Sequence, residues 1–517
     1  MEKSVHGFLS FLRRYRAAIL AALLLVLACY AFMLTHYTLQ IDEETWIKNT
    51  DPQLIKSIWV SQGRFGLYLF DSVFSPLGRY IPILWDILAV LIYYFAGVFF
   101  MYSFAKLKHD FKAAAVFAFL SVFPALPFVT GDFLSFSMFN FQQAAAMLVM
   151  SLCFLSTLVY FNSRKKRYFA LSIILGFVSV SFFQAFAVVY VTAVAGYFLL
   201  AQLYCGIEKR ALIRNILRAV FIFIAFLAAY MAVNAGLNRL FSLSNSAHAG
   251  GYIGWDNISE NLPNTILGAV KAFLGWGAIG GAAIFLTEIA FVVLAVVLII
   301  KQKSIADRVW LGLSLAALAV SPFLMNLLLL NWRFLGRILL ALSLALALEL
   351  LLIIQYASRL KWSKISAAAL TSLILAINVV SMNLMFYGNY VSYTADKELG
   401  VQIIEQLEKD GINYADKPIL FVGHTERRLP VADSDRVQSA SFFEWDDGNN
   451  NRMHDFLRAE GYDTLKPTDG LREKGYERSK GMPCWPEEGS MAVLDDVIIV
   501  KLSEPSDKWF SVNNVRK

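Results

Sequence analysis

The residues Arg16-Ala17-Ala18-Ile19-Leu20-Ala21-Ala22-Leu23-Leu24-Leu25-Val26-Leu27-Ala28-Cys29 begin an apolar run that continues to about residue 35. About 19 apolar residues are enough for a helix to cross the ~30 Å hydrocarbon core of a bilayer. Arg13, Arg14 and Arg16 precede the run as they would in a signal peptide, but no small-residue cleavage site follows. It is therefore expected to be an uncleaved first span. Leu39-Gln40-Ile41-Asp42-Glu43-Glu44-Thr45-Trp46 comes next and places three consecutive carboxylates at the membrane surface. A reaction on a lipid-borne substrate could use a base there.

Composition fixes the class. Of the 517 residues, 58% are hydrophobic and only 16% charged, and apolar runs recur to about residue 386. This excludes a soluble enzyme and predicts a polytopic α-helical membrane protein. The net charge of +7 is carried largely by Lys and Arg in short loops between apolar runs, where they set topology rather than bind nucleic acid. Cys29, Cys153, Cys205 and Cys484 have no metal-ligand or paired spacing.

Spans are expected at about 17–35, 80–103, 113–130, 143–161, 168–183, 185–205, 217–237, 281–300, 309–330, 338–356 and 366–386, about 11 crossings in all. The split near Gln184 decides the parity. With it, the basic clusters 13–16, 106–112, 164–167, 209–218, 301–308 and 359–364 share one set of alternate loops, which the positive-inside rule makes cytoplasmic. The N-terminus is then inside, and everything after about residue 387 is outside.

Two outer loops are expected to carry surface helices. In the first, 36–79, Asp51-Pro52 is a helix start, and Leu54, Ile55, Ile58 and Trp59 make an apolar face up to the break at Gly63. Phe65 through Phe74 then dips back towards lipid. The second, 238–280, becomes amphipathic from Ile258 to Phe273. From 388 to 517 the hydropathy drops and a small α/β domain is predicted. Its elements are a helix over 395–409 ending at Gly411, strands at 418–422 and 437–445, a helix over 452–459, and a hairpin of 491–494 with 497–501.

Moving a sugar from a lipid phosphate needs a carboxylate to take the proton of the acceptor hydroxyl and cations to hold the leaving phosphate. Asp42 and Glu43, beside Glu44, supply the first. Arg64 in Gln62-Gly63-Arg64-Phe65, and Arg333 and Arg337 in Asn331-Trp332-Arg333-Phe334-Leu335-Gly336-Arg337, supply the second, since guanidinium forks match phosphate oxygens. The i, i+4 spacing of the last pair would put both on one helical face. Asp132, Gln142 and Gln143 could contact sugar hydroxyls. Trp255-Asp256 and Glu444-Trp445-Asp446 join an aromatic face to a carboxylate, which suits sugar rings. Each has a plainer reading: a solvated acidic loop, arginines snorkelling to headgroups, a capping Arg64, and ordinary packing of the aromatics. Asp86 could be merely solvated, and Glu288 and Glu349 fit structural roles inside spans. His248 and His424 lack ligand-spaced partners, so no metal or other cofactor is assigned.

The first-loop carboxylates, Gln62-Gly63-Arg64-Phe65, the many-span body, and a tail with Ser441-Phe442-Phe443-Glu444-Trp445-Asp446 and Met482-Pro483-Cys484-Trp485-Pro486 resemble the Gtr type II glucosyltransferases of bacterial O-antigen, in the GT-C group of membrane glycosyltransferases. The resemblance implies a polyprenyl-phosphate-linked sugar donor, a lipid-linked glycan acceptor, and inverting single displacement at the outer face of the bacterial inner membrane. A first-loop carboxylate would be the base, with Asp42-Glu43 matching the usual acidic pair. The expected organisation is a transmembrane GT-C-like domain, 1–387, and an extracytoplasmic α/β domain, 388–517. A flippase of lipid-linked sugars, from a different functional class, would need polar residues at mid-bilayer depth. A non-catalytic scaffold would leave the carboxylates dispensable.

Overall fold

Every apolar run is helical in the computed structural model, which describes residues 2–48, 52–74, 80–108, 110–206, 208–243, 258–327, 335–357, 361–425, 441–494 and 496–516. Eight segments among these are long and apolar enough to cross a membrane: Leu84–Ala105, Ala113–Leu134, Asn140–Ser163, Phe186–Tyr204, Lys209–Leu240, Gly281–Ile300, Ile305–Leu327 and Ser363–Lys409. Three other expected spans also appear as helix but fall short of that length or apolarity. The first run is divided between helices Glu2–Cys29 and Ala31–Thr35, while Lys166–Phe182 and Leu340–Tyr356 have 17 residues each. The break at Gln184 is present, since one helix ends at Phe182 and the next begins at Phe186.

The chain forms two compact units. The first comprises Met1–Thr35 and Asp51–Asn383, and the second His36–Thr50 and Leu384–Lys517. The acidic segment, expected to belong with the transmembrane body, thus folds with the C-terminal residues.

In the first unit, Leu340–Tyr356 is almost wholly buried, and large rings fill the interior around it. Tyr93 stacks on Phe123 at 5.3 Å, and Phe104 meets Phe154 at 5.3 Å. Peripheral helices do the opposite. Lys209–Leu240 exposes Leu217, Phe221 and Ile224, and Gly281–Ile300 exposes Val292, Val293 and Ile300. Such unbroken apolar surface is stable against lipid rather than water. Helix Ile258–Phe273 follows the same logic. Its Leu262, Ile266 and Val270 are exposed, whereas Asn261, Thr265 and Gly268 are buried, so its apolar stripe faces away from the protein.

The second unit has a three-stranded sheet ordered β1-β3-β2. Strand β1 (Ile419–Val422) runs parallel to β3 (Ile498–Lys501), and β2 (Met491–Val493) pairs antiparallel with β3. Leu420, Val422, Val497, Ile499 and Trp509 pack into its core. Helices Asn450–Ala459, Asp469–Ser479 and Asp507–Val512 belong to it, the last two not anticipated from the sequence. The strand expected over 437–445 is not formed in its described part. The Asp396 carboxylate accepts bonds from Ser441 Oγ (2.8 Å) and Phe442 N (2.5 Å), which turns the chain and drives Phe442 onto Phe456 at 4.4 Å. A short 3-10 turn, Trp445–Asp447, follows.

Candidate functional site

The acidic motif sits on a tight turn that opens a helix. Glu43 N donates to Gln40 O at 3.1 Å, and Glu43 Oε2 accepts Gln40 N at 2.9 Å, so Glu43 closes the turn that leads into helix Glu43–Lys48 with its own carboxylate. Closing this turn puts Asp42 at φ +82°, a left-handed conformation that a non-glycine residue adopts only under constraint. Two ring contacts just before the turn hold the segment. His36 meets Tyr390 at 5.4 Å, and Tyr37 meets Tyr393 at 5.8 Å, both edge-on.

The three carboxylates have different surroundings. Glu43 is fully buried and engaged in closing the turn. Glu44 is 2% exposed and Asp42 61%, so Asp42 is the exposed one of the three. One guanidinium joins the latter two. Arg452 Nη1 donates to Glu44 Oε1, and Nη2 donates to Asp42 Oδ1 at 3.0 Å. Glu44 Oε2 is buried without a hydrogen-bond partner among the described residues. Burial pushes the Glu44 carboxyl up to about 7, with Arg452 pulling it down and Asp42 pushing it further up.

Nothing in the sequence pointed to Arg452, which lies 408 residues from Glu44. The helix carrying it, Asn450–Ala459, is pinned to the edge of the sheet. Asn450 exchanges two bonds with the Phe421 backbone, both 2.8 Å, and Asn449 accepts Asn451 N at 3.0 Å as the cap.

In the first unit, Arg64 follows Gly63, whose φ of +72° and close neighbours demand glycine. Tyr230 Oη donates to Gly63 O at 3.0 Å. Gln184, in the helix break that parity required, donates to Gln62 O at 2.8 Å and to Tyr230 Oη at 2.9 Å. The Arg64 guanidinium lies 4.9 Å from the Phe183 ring centroid.

Arg337 is placed differently from the expectation. Leu335 is extended and Gly336–Ile338 is a single 3-10 turn, so the described residues that lead to Arg337 are not α-helical. A Cβ on Gly336 would overlap the Phe128 carbonyl, so only glycine allows the approach. The approach lets Asp132 Oδ2 accept Arg337 N at 3.0 Å, with Oδ1 3.9 Å from Arg337 Nη1. Phe136 faces the same guanidinium at 5.3 Å. Asp132 is therefore the partner of Arg337. It opens the helical turn Asp132–Leu134, which follows directly on a π-turn, Pro127–Gly131, that starts at Pro127.

Gln142 is buried, its Nε2 donating to Met138 O at 3.5 Å and its Oε1 without a hydrogen-bond partner among the described residues. Glu444 and Trp445 are partly exposed at the 3-10 turn. Asp86, weighed as a solvated residue, is buried instead and accepts Ile83 N (3.0 Å) and Asn140 Nδ2 (2.6 Å) as a helix cap. Arg333, Trp255 and Asp256 lie outside the described residues. Among the described residues, no group of three or more His, Cys, Asp or Glu is arranged to hold a metal ion.

The model of one protein family, Glucosyl transferase GtrII, matches residues 31–335. The chain belongs to the GtrII family. The match takes in the acidic motif, the Gln62–Phe65 turn and Asp132, and ends two residues before Arg337. Arg452 and the tail residues that resembled the family lie beyond it. Neither a curated protein nor a solved structure matches the chain. As a GtrII member the protein is a glucosyltransferase, which uses a sugar donor and a glycan acceptor, and its apolar helices make it a membrane protein.

Proposed function

We propose that this GtrII protein transfers glucose from a polyprenyl-phosphate-linked donor to a lipid-linked surface polysaccharide such as O-antigen, with inversion, on the outer face of the bacterial inner membrane. The acceptor hydroxyl oxygen attacks the anomeric carbon as the bond from that carbon to the phosphate oxygen breaks. The hydroxyl proton passes to Asp42, and polyprenyl phosphate leaves with the bonding electrons. Glu43 supports Asp42 by fixing the turn. Arg64, Arg333 and Arg337 are the cations assigned to the donor phosphate, whose charge grows as the sugar departs. Gln142, Trp255, Asp256, Glu444 and Trp445 are assigned to sugar or acceptor contacts, and Asp132 to orienting Arg337.

The observation that carries this reading is the turn at Gln40–Glu43. It buries two carboxylates and presents Asp42 at positive φ beside the Arg452 guanidinium. The alternation of basic loops supports an inside N-terminus and an extracytoplasmic domain from residue 388. Purified protein incubated with isotope-labelled β-linked polyprenyl-phosphate-glucose and a lipid-linked glycan tests it. NMR of the product should show one new α-glucosidic linkage. A retained β configuration would remove the single displacement, and no transfer from any polyprenyl-linked donor would remove the donor class.

A further inference from the structure

We propose that Arg452 is a positioning residue for the proposed base: anchored on buried Glu44, its guanidinium holds the Asp42 carboxylate in the orientation that accepts the acceptor proton. The inference rests on the reading that Asp42 is the base.

Three features support this role. Arg452 addresses the two carboxylates with different nitrogens, Nη1 to Glu44 and Nη2 to Asp42, a geometry that a lysine ammonium cannot reproduce. Its side chain is 14% exposed, between the 2% of Glu44 and the 61% of Asp42, so one arm is sheltered while the other reaches the surface. The helix beneath it is locked to the Phe421 backbone through Asn450, so the guanidinium has a fixed origin. Among the described residues only one Asp42 oxygen takes a hydrogen bond, which leaves the carboxylate a second oxygen for the acceptor proton.

Charge follows from the same cluster. Asp42, Glu43 and Glu44 come from the turn and its helix, and Arg452 and Asp455 from Asn450–Ala459, with Asp455 paired to Lys466 at 2.6 Å. When Glu44 is protonated, the Nη1 arm of Arg452 loses its ionised anchor and the Asp42 carboxylate is held less firmly. When Glu44 ionises, the guanidinium is anchored on Glu44 and holds Asp42 in place. Turnover should therefore rise with pH through about 7, where burial places the Glu44 carboxyl.

Arg452→Gln and Arg452→Lys, measured per mole of folded reconstituted protein, test the inference. The Gln variant should lose about 10-fold or more in kcat with donor KM little changed, and Lys should recover part of the loss. The rise in rate through about pH 7 should disappear in Arg452→Gln, because ionised Glu44 then has no guanidinium through which to hold Asp42. In an Asp42→Asn background, Arg452→Gln should cost nothing further. Unchanged kcat and pH limb would overturn the proposal, as would a loss confined to the yield of folded protein. If Arg452→Gln does not fold, the kcat and limb of Arg452→Lys decide by the same criteria. A fully active Asp42→Asn would remove the base assignment itself, an outcome distinct from an inactive Asp42→Asn beside an unaffected Arg452→Gln.

Discussion

The hydroxyl of Tyr230 covers the carbonyl of Gly63 at 3.0 Å, and any side chain at position 63 would collide with it. Arg64 takes its direction from this contact. Gly63→Ala adds a Cβ at positive φ, at a cost of ~1 kcal/mol before the collision is counted. It should displace Arg64 and lower turnover by about 10- to 100-fold. Tyr230→Phe removes the bond without adding bulk and should lose less. Rates for the two variants at equal protein check the order, and Gly63→Ala with wild-type kinetics would detach this turn from catalysis.

Asp132 reaches Arg337 through both backbone and side chain. Arg337→Lys keeps the charge but loses the fork, so partial activity is expected, and Arg337→Ala should lose more in both donor binding and turnover. Asp132→Asn should raise donor KM by releasing the guanidinium from its place. A cation that only snorkels to headgroups predicts that Lys equals Arg and that Ala harms expression alone. Donor-dependence curves separate the two.

The topology is open to direct labelling. Asp469 has a 66% exposed side chain, so a cysteine there is reachable. With Cys205 and Cys484 replaced by Ser, Asp469→Cys in intact spheroplasts should react with an impermeant thiol reagent. Labelling only after lysis would place the C-terminal unit in the cytoplasm and overturn the outer-face assignment.

His454 gives the second unit a pH signature. It is fully buried between Thr464 Oγ1 and Ile419 O, each 2.8 Å away, and burial pushes its pKa down to about 3 from 6.5. The unfolded chain then binds an extra proton below pH 6.5 that the folded chain refuses until about 3, so stability must fall as the pH drops through that interval. Glu44 has the opposite sign: its raised carboxyl makes the folded state lose stability as pH rises from 4.5 to about 7. Comparing thermal unfolding of wild type and His454→Gln from pH 7.5 to 4.5 cancels Glu44 and all other groups. The variant should be less stable at neutral pH yet lose less on acidification; parallel curves would contradict the buried neutral imidazole.

Hydrophobic periodicity carried most of the helical fold. The helix break at Gln184 and the glycine at 63 were visible because Gln interrupts an apolar run and Gly ends a helix for local reasons. The failures are all non-local. The strand at 437–445 has suitable β-formers, but Asp396, some forty-five residues earlier, captures its backbone. The helical spacing expected up to Arg337 is interrupted at an extended Leu335, because Gly336 must reach the Phe128 backbone, and Arg333 lies outside the described residues. Arg452 is an ordinary charged residue in an amphipathic helix, and only the folded chain brings it to Asp42. The three consecutive carboxylates stand out in the sequence, but their division into turn-closing, anchoring and exposed groups depends on burial that sequence does not carry.

The central claim is that Asp42 takes the acceptor proton. The most direct measurement is the single-turnover rate of labelled glucose transfer by reconstituted Asp42→Asn, with donor binding followed in parallel. The substitution keeps shape and removes basicity, so the rate should fall by about 100-fold or more while donor still binds. An Asp42→Asn protein that transfers glucose at the wild-type rate, with Glu44→Gln inactive, would contradict the account and move the base to Glu44.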